Sequence, residues 1–290
     1  MACFSPLVAF KTDSGEIVFG RERGRELKLP CGQCVGCRLE RSRQWAVRCM
    51  HEVQMHESSC FITLTYSDEF VPPDFGLHYS DFQKFMKRVR ARFRARVRFY
   101  MCGEYGETYS RPHFHCILFG IDFQDKYYWR RSESGHDLYR SSLLEKLWSF
   151  GQCEIGSVTF ESAAYIARYC VEKLVNPGAE WIVDPETGEL YEREQEFTRM
   201  SLKPGIGATW FAKYKSEVYP LDRVVMRGRE MKPPRFYDRL MKLDDKGTMS
   251  DDVEYGRYLR SLKLTDDNTY ERLRTREIVT LHDLKKRRLK

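Results

Sequence analysis

The run Arg111-Pro112-His113-Phe114-His115-Cys116-Ile117-Leu118-Phe119 places two histidines around one bulky apolar residue inside a hydrophobic stretch. On a β-strand, side chains two residues apart point to the same face. His113 and His115 therefore project together, while Phe114, Cys116 and Leu118 pack on the other side. Neutral imidazole is a good ligand for a divalent metal, although a bare pair equally suits a solvated sheet face. A second pair, Tyr165 and Tyr169, stands at i and i+4 in Glu161-Ser-Ala-Ala-Tyr165-Ile-Ala-Arg168-Tyr169-Cys-Val-Glu-Lys173-Leu, with Pro177-Gly178 just beyond. That spacing puts both rings on one face of a helix, a turn apart. Taken alone it reads as a core aromatic stripe. Taken together, the two pairs suggest phosphoryl chemistry. A phenol is a weak nucleophile at neutral pH, because its pKa is about 10. A metal held by imidazoles can polarise a phosphate oxygen and steady the charge that develops at phosphorus. A tyrosine oxygen could then attack in line and remain joined to the nucleic acid.

Several elements must position these groups. Residues Gln33 to Glu57 read as a cysteine turn followed by a helix with Leu39, Ala46, Met50 and Val53 on its apolar side. Phe61 to Tyr66 reads as a strand, with threonines alternating against Ile62 and Leu64. After a Val71-Pro72-Pro73-Asp74 loop, Ser80 or Asp81 should cap a helix whose apolar face is Phe82, Phe85, Met86, Val89 and Phe93. Val97 to Gly103 and Pro112 to Phe119 read as an antiparallel hairpin. Leu138 to Phe150 reads as a helix, Glu154 to Phe160 as a strand, and the tyrosine helix follows. This order gives an α+β fold, an antiparallel sheet with helices packed on one face. Asp184-Pro-Glu-Thr-Gly188 reads as an acidic surface loop. Glu104 lies on the strand next to the histidines, so its carboxylate can reach their face. Glu107 is the competing carboxylate, further from the strand. Mixed imidazole and carboxylate ligation with open water positions suits Mg²⁺ or Mn²⁺ better than a closed Zn²⁺ site.

His113-Phe114-His115 with Tyr165 and Tyr169 resembles the HUH endonucleases, specifically the two-tyrosine replication initiators of gokushovirus-type microviruses, which are single-stranded DNA phages. Supporting stretches are Cys31-Gly-Gln-Cys34-Val-Gly-Cys37-Arg38, Phe61-Ile-Thr-Leu-Thr65-Tyr66, Gly103-Glu104-Tyr105-Gly106 and Met200-Ser-Leu-Lys-Pro-Gly-Ile-Gly207. The resemblance runs from the N-terminus to about Gly207 and weakens afterwards, although Pro234-Arg-Phe-Tyr-Asp238 also fits. It implies an N-terminal Cys-rich turn and helix over 1–59, an HUH endonuclease core over 60–176 and a C-terminal extension with a basic tail over 177–290. It also implies a third metal ligand near Glu104. Tyr165 and Tyr169 would nick the origin strand, hold its 5′ phosphate and later rejoin it, the energy of the broken bond being kept in the phosphotyrosine. Arg168 and Lys173 would lower the phenol pKa or hold phosphate. The relatives often carry Lys at the position of Arg168 and Lys-Lys at Glu172-Lys173, so the basic partner differs here. No Gly-x-x-x-x-Gly-Lys-Ser/Thr motor motif occurs, so unwinding would fall to a host helicase and synthesis to a host polymerase. The competing readings are a plasmid relaxase or transposase of the same class, a non-catalytic origin-binding protein, and a hydrolase that uses water with the tyrosines as core.

The 290 residues suffice for one or two domains, and 31% charged against 42% hydrophobic residues reads as a globular protein. A net charge of +7 is compatible with nucleic acid but decides little by itself. Arg88 and Arg92, in a basic run from Lys87 to Arg96, are candidate phosphate contacts. Tyr128 and Arg130, in Tyr127-Tyr128-Trp129-Arg130-Arg131, combine stacking rings with cations as single-strand grooves do. Ten cysteines without a basic-then-apolar start imply a reducing compartment, the host cytoplasm, and no run is long enough to span a membrane. Cys31, Cys34 and Cys37, with Cys3 as a fourth ligand, could hold structural Zn²⁺ or pack as free thiols.

Overall fold

In the computed structural model, which describes residues 3–20, 24–94, 96–106, 110–132, 134–173, 180–183, 187–244 and 248–288, the histidine run is a strand near the middle of a seven-stranded sheet. In chain order the elements begin with β1 (Leu7–Lys11), β2 (Ile17–Val18), β3 (Arg25–Leu29), α1 (Val35–Val53), β4 (Ser59–Tyr66) and α2 (Tyr79–Phe93). Next come β5 (Arg98–Tyr105), β6 (Pro112–Phe119), β7 (Tyr127–Arg131), β8 (Asp137–Arg140), α3 (Ser142–Trp148), β9 (Gly151–Gly156) and α4 (Phe160–Lys173). The remainder is β10 (Glu180–Val183), β11 (Leu190–Arg193), β12 (Phe197–Met200), α5 (Ala208–Val218), β13 (Val224–Met226), β14 (Arg229–Met231), α6 (Arg235–Asp244), α7 (Thr248–Leu262) and α8 (Tyr270–Arg288).

The chain forms two compact units. The smaller joins Met1–Arg41 to Asp244–Lys290. It holds an antiparallel β2-β1-β3 sheet, the cysteine turn, α7 and α8, and the Arg25 guanidinium lies 4.5 Å over the Tyr258 ring. The larger unit, Ser42–Leu243, holds the sheet β12-β5-β6-β4-β9-β8-β7, every neighbouring pair antiparallel.

Alternation along the strands feeds two separate cores. Ile62 and Leu64 of β4, Met101 of β5, and Phe114, Cys116 and Leu118 of β6 pack against Phe82, Phe85, Met86 and Val89 of α2 and Leu144 and Trp148 of α3. On the other face, Tyr100, Cys102, Ile117 and Phe119 pack against Ala46 and Cys49 of α1 and Ala163, Ile166 and Ala167 of α4. Helices therefore cover both faces, where the sequence suggested one. The central strands carry apolar side chains on both sides, which the sequence pattern left undecided between helix and solvent.

Three local expectations also change. Helix α2 starts at Tyr79 after His78, which provides no side-chain cap. Asp81 instead accepts hydrogen bonds from the Tyr66 hydroxyl at 3.0 Å and the Lys84 ammonium at 3.0 Å. The segment read as one helix from Leu138 is the strand β8 and then the shorter α3, which Ser141 starts by accepting the Leu144 N–H at 3.0 Å. The following strand begins earlier than expected, at Gly151. Its φ of +150° and its approach to β4 require glycine, since a Cβ there would lie 2.3 Å from Ser67 N and 2.4 Å from Thr65 O. Of the acidic loop, residues 184–186 lie outside the described residues, as do Pro177-Gly178 and Glu107.

Candidate active site

The antiparallel register assembles the ligand set. Across β5 and β6, Glu104 stands opposite His113 and Cys102 opposite His115. Across β4 and β6, Thr63 stands opposite His115 and Thr65 opposite His113. Directly opposed residues share a face, so Glu104, His113, His115, Thr63 and Thr65 all project toward the side that α4 covers. Glu104 is 1% exposed, and its Oε1 lies 3.0 Å from His113 Nε2 and 2.8 Å from His115 Nε2. The three ligating atoms lie within 4.8 Å of one another. The two imidazole rings meet edge to face, centroids 4.9 Å apart, and Phe61 stacks on His115 at 5.5 Å.

Each ring is held from behind. His113 Nδ1 lies 3.0 Å from the Arg111 carbonyl, and His115 Nδ1 lies 2.9 Å from Thr63 Oγ1. The Arg111 side chain fixes its own segment by donating to the Tyr66 carbonyl at 2.9 Å and pairing with Asp68. Burial would raise the Glu104 carboxyl, but the hydrogen bonds and charge of His113 and His115 outweigh it and hold it at about 2. Burial pulls both imidazoles down. At His113 the Glu104 carboxylate prevails, helped by the Arg111 carbonyl and the charge of Glu196, and the pKa is raised. At His115, which is more deeply buried, burial prevails and the pKa is lowered. The hydrogen-bond partners tell the same story. His113 sits between two acceptors, so both its nitrogens must donate, as in imidazolium. His115 has a hydroxyl on one side and can stay neutral. One ionised carboxylate and two imidazole nitrogens facing one point form a donor set that can hold a divalent cation with positions left for oxygen ligands.

Helix α4 brings the nucleophile candidate. It begins in a reciprocal cap: Ser162 N–H donates to Thr159 Oγ1 at 3.1 Å and Thr159 N–H donates to Ser162 Oγ at 2.9 Å. Small buried residues, Ala163 and Ala167, let the helix lie close on Tyr100 and Cys102. Ser42 of α1 donates to the Ala164 carbonyl at 2.7 Å and fixes its rotation. Tyr165 consequently reaches the sheet, and its hydroxyl donates to Glu104 Oε1 at 2.9 Å with the ring edge-on to His115. Tyr169, Arg168 and Lys173 follow on the same helix, and their side chains lie outside the described residues.

The other sites called from sequence are spread more widely. Cys3, Cys31, Cys34 and Cys37 gather in the smaller unit, with Sγ separations of 3.6 Å (Cys3 to Cys31), 3.8 Å (Cys3 to Cys34) and 4.0 Å (Cys31 to Cys37). A tetrahedron with metal–sulfur bonds of about 2.3 Å has edges of about 3.8 Å. Amide N–H groups of Phe4, Cys31 and Cys34 point at these sulfurs at 3.3 Å. Arg88 is spent within the fold: it donates to the carbonyls of Leu147 and Trp148 at the end of α3. Arg88 and the exposed Arg92 belong to α2, on the sheet face opposite the histidines. Tyr128 is exposed on the edge strand β7, and Arg130 there pairs with Glu154 at 2.9 Å. Sequence reading assigned no part in the site to Thr63 or Glu196. The threonine had a visible signal, since it alternates onto the polar side of β4. Glu196 had none: it is buried at the start of β12 and accepts the Tyr105 N–H at 2.8 Å.

The family described as replication-associated protein ORF2 matches residues 59–174, the stretch from β4 to the end of α4. Replication-associated protein VP4 of Bdellovibrio phage phiMH2K is 32% identical over 250 residues, covering 82% of this chain and 76% of the relative. Replication-associated protein ORF2 of Spiroplasma virus 4 is 29% identical over 272 residues, covering 83% and 81%. Replication-associated protein ORF4 of Chlamydia phage 1 is 27% identical over 245 residues, covering 82% and 59%. No solved structure matches the chain significantly. Among the described residues no helix is long and apolar enough to cross a membrane. The likeness thus extends well past the matched core, and the chain belongs to the phage replication-associated proteins, as a replication initiator of the microvirus type.

Proposed function

We propose that this chain is a tyrosine-dependent endonuclease and strand transferase of the HUH class that nicks and rejoins single-stranded DNA at the phage origin in rolling-circle replication. The observation that carries the reading is the meeting of four groups at one oxygen: Nε2 of His113, Nε2 of His115 and the Tyr165 hydroxyl all lie within 3.0 Å of Glu104 Oε1. Glu104, His113 and His115 would hold Mg²⁺ or Mn²⁺, which supplies polarisation of the scissile phosphate. Tyr165 Oη attacks phosphorus in line, the bond to the 3′ oxygen breaks, and that oxygen leaves with a proton as a free 3′ hydroxyl. The 5′ phosphate stays on tyrosine and retains the energy needed for rejoining. Tyr169, one turn along α4, is the second nucleophile, which attacks the regenerated junction. Arg168 and Lys173 hold the phosphate, while Tyr128 and Arg130 guide the strand. Cys3, Cys31, Cys34 and Cys37 bind structural Zn²⁺. Host helicase and polymerase, in the host cytoplasm, supply unwinding and synthesis.

The test is incubation with a single-stranded origin oligonucleotide and Mn²⁺, followed by denaturing electrophoresis. A protein–DNA adduct that survives denaturation is expected. DNA binding without any adduct would instead favour an origin-binding protein that performs no chemistry. Cleavage that persists when both tyrosines are Phe would favour a hydrolase using water.

A further inference from the structure

We infer that Thr63 is a positioning residue for the metal site, whose hydroxyl reverses its hydrogen-bonding role as His115 changes tautomer. The inference rests on the proposed metal reading and extends it to a residue of the Phe61-Ile-Thr-Leu-Thr65 strand, which otherwise has no task.

The two histidines are braced by chemically different groups. Behind His113 stands the Arg111 carbonyl, which can only accept a hydrogen bond. Behind His115 stands Thr63 Oγ1 at 2.9 Å, which can accept or donate. In the structure His115 Nε2 lies 2.8 Å from Glu104 Oε1. The ionised carboxylate only accepts, so Nε2 carries the proton, and the neutral ring presents a lone pair at Nδ1 that the Thr63 hydroxyl meets as donor. To ligate a cation through Nε2, the ring needs its lone pair there and its proton on Nδ1. The Thr63 oxygen then accepts that Nδ1–H while its own hydroxyl proton turns away. The ring stays neutral and no proton is gained or lost. A carbonyl behind His115 would serve only the second arrangement, and an apolar side chain neither. The β4–β6 register holds Thr63 directly opposite His115, so the oxygen is placed by backbone pairing rather than by a mobile loop. Phe61, two residues earlier on the same face, stacks on the ring and limits its swing.

Outer partners of this kind commonly change metal affinity by about 10–100-fold when removed. The experiment titrates Mn²⁺ into the full chain by calorimetry for wild type, Thr63→Val, Thr63→Ser and His115→Ala. Thr63→Val keeps the β-branched shape and should weaken Mn²⁺ binding about 10–100-fold, while Thr63→Ser, which keeps the hydroxyl, should restore it. In parallel, ¹⁵N spectra of the imidazoles should show the His115 proton on Nε2 in metal-free protein and on Nδ1 with Mg²⁺. Wild-type affinity in Thr63→Val, with affinity lost in His115→Ala, would overturn the role of Thr63 and leave the metal site standing. Unchanged affinity in His115→Ala would overturn the metal site itself. Should Thr63→Val fail to fold, the spectra of wild type decide: one tautomer in both states refutes the switch.

Discussion

At the residue scale the site is organised around one carboxylate oxygen. Glu104 Oε1 receives His113, His115 and Tyr165, and Glu104 Oε2 lies 3.8 Å from the Cys102 thiol. This crowding has a direct consequence for variants. Glu104→Gln keeps the shape but removes the charge that holds His113 protonated and that a cation would need. It should abolish adduct formation with an origin oligonucleotide, and Mn²⁺ should bind at least about 10-fold more weakly. Retained adduct at wild-type rate would remove Glu104 from the ligand set. Tyr165→Phe keeps the ring against His115 and deletes only the attacking oxygen. Tyr165→Phe and Tyr169→Phe should each still yield some adduct, because either phenol can serve, and the double variant should yield none while still binding DNA. Adduct lost completely in Tyr165→Phe alone would show an enzyme with one nucleophile.

At the element scale the question is what holds α4 and β6 in register. The join between β4 and β9 depends on Gly151, where the chains nearly touch. Gly151→Ala should lower the unfolding free energy by about 2–4 kcal/mol through backbone displacement. A denaturation midpoint unchanged from wild type would contradict this. The same elements show which parts of the fold could be read from sequence. His113 and His115 announced their shared face because strand alternation depends on local geometry alone. Glu104 could be joined to them because β5 and β6 are sequence neighbours in a hairpin. Tyr165 followed from helical spacing. The β7–β8 hairpin was missed because its strands carry Tyr127, Tyr128, Trp129, Arg130 and Arg131, all exposed, with no apolar alternation to betray them. β12 was missed because a four-residue strand gains its identity only by pairing with β5, 94 or more residues away in sequence at Phe197↔Gly103. Thr63 and Glu196 gain their parts in the site through tertiary neighbours, which periodicity does not encode.

At the scale of the whole molecule, each unit solves its stability problem differently. The smaller unit buries few apolar side chains among its described residues, chiefly Cys3, Ala9, Val253 and Leu273, so a metal bound by the four thiols would carry much of its order. Cys34→Ser should release bound zinc and speed amide exchange over β1 to β3, measurable by mass spectrometry; unchanged zinc content would exclude Cys34 as a ligand. The larger unit has a full core and adds a buried ionic knot. Glu52 of α1, 1% exposed, lies 2.6 Å from the Arg98 Nε of β5, 3.2 Å from His56 Nε2, and accepts the Gly207 N–H at 2.7 Å. Arg98 in turn donates to the Pro204 carbonyl at 2.7 Å, so one carboxylate ties α1, β5 and the turn before α5 together. Burial alone would raise the Glu52 carboxyl, but the His56 and Gly207 hydrogen bonds and the Arg98 charge outweigh it, and its pKa is lowered. A group depressed in the folded state contributes stability that is complete above its unfolded value, about 4.3, and that disappears as pH falls through the lower folded value. Wild type should therefore lose stability steeply below about pH 4.3. Glu52→Gln should lose part of that acid-side slope. At neutral pH it should also be less stable by about 3–5 kcal/mol, because Arg98 is left buried without its counter-charge. Urea denaturation of both proteins from pH 3 to 7 measures the difference. Parallel acid-side slopes would show that Glu52 is ionised no more readily in the folded chain than in the unfolded one, and would remove the knot from the account of stability.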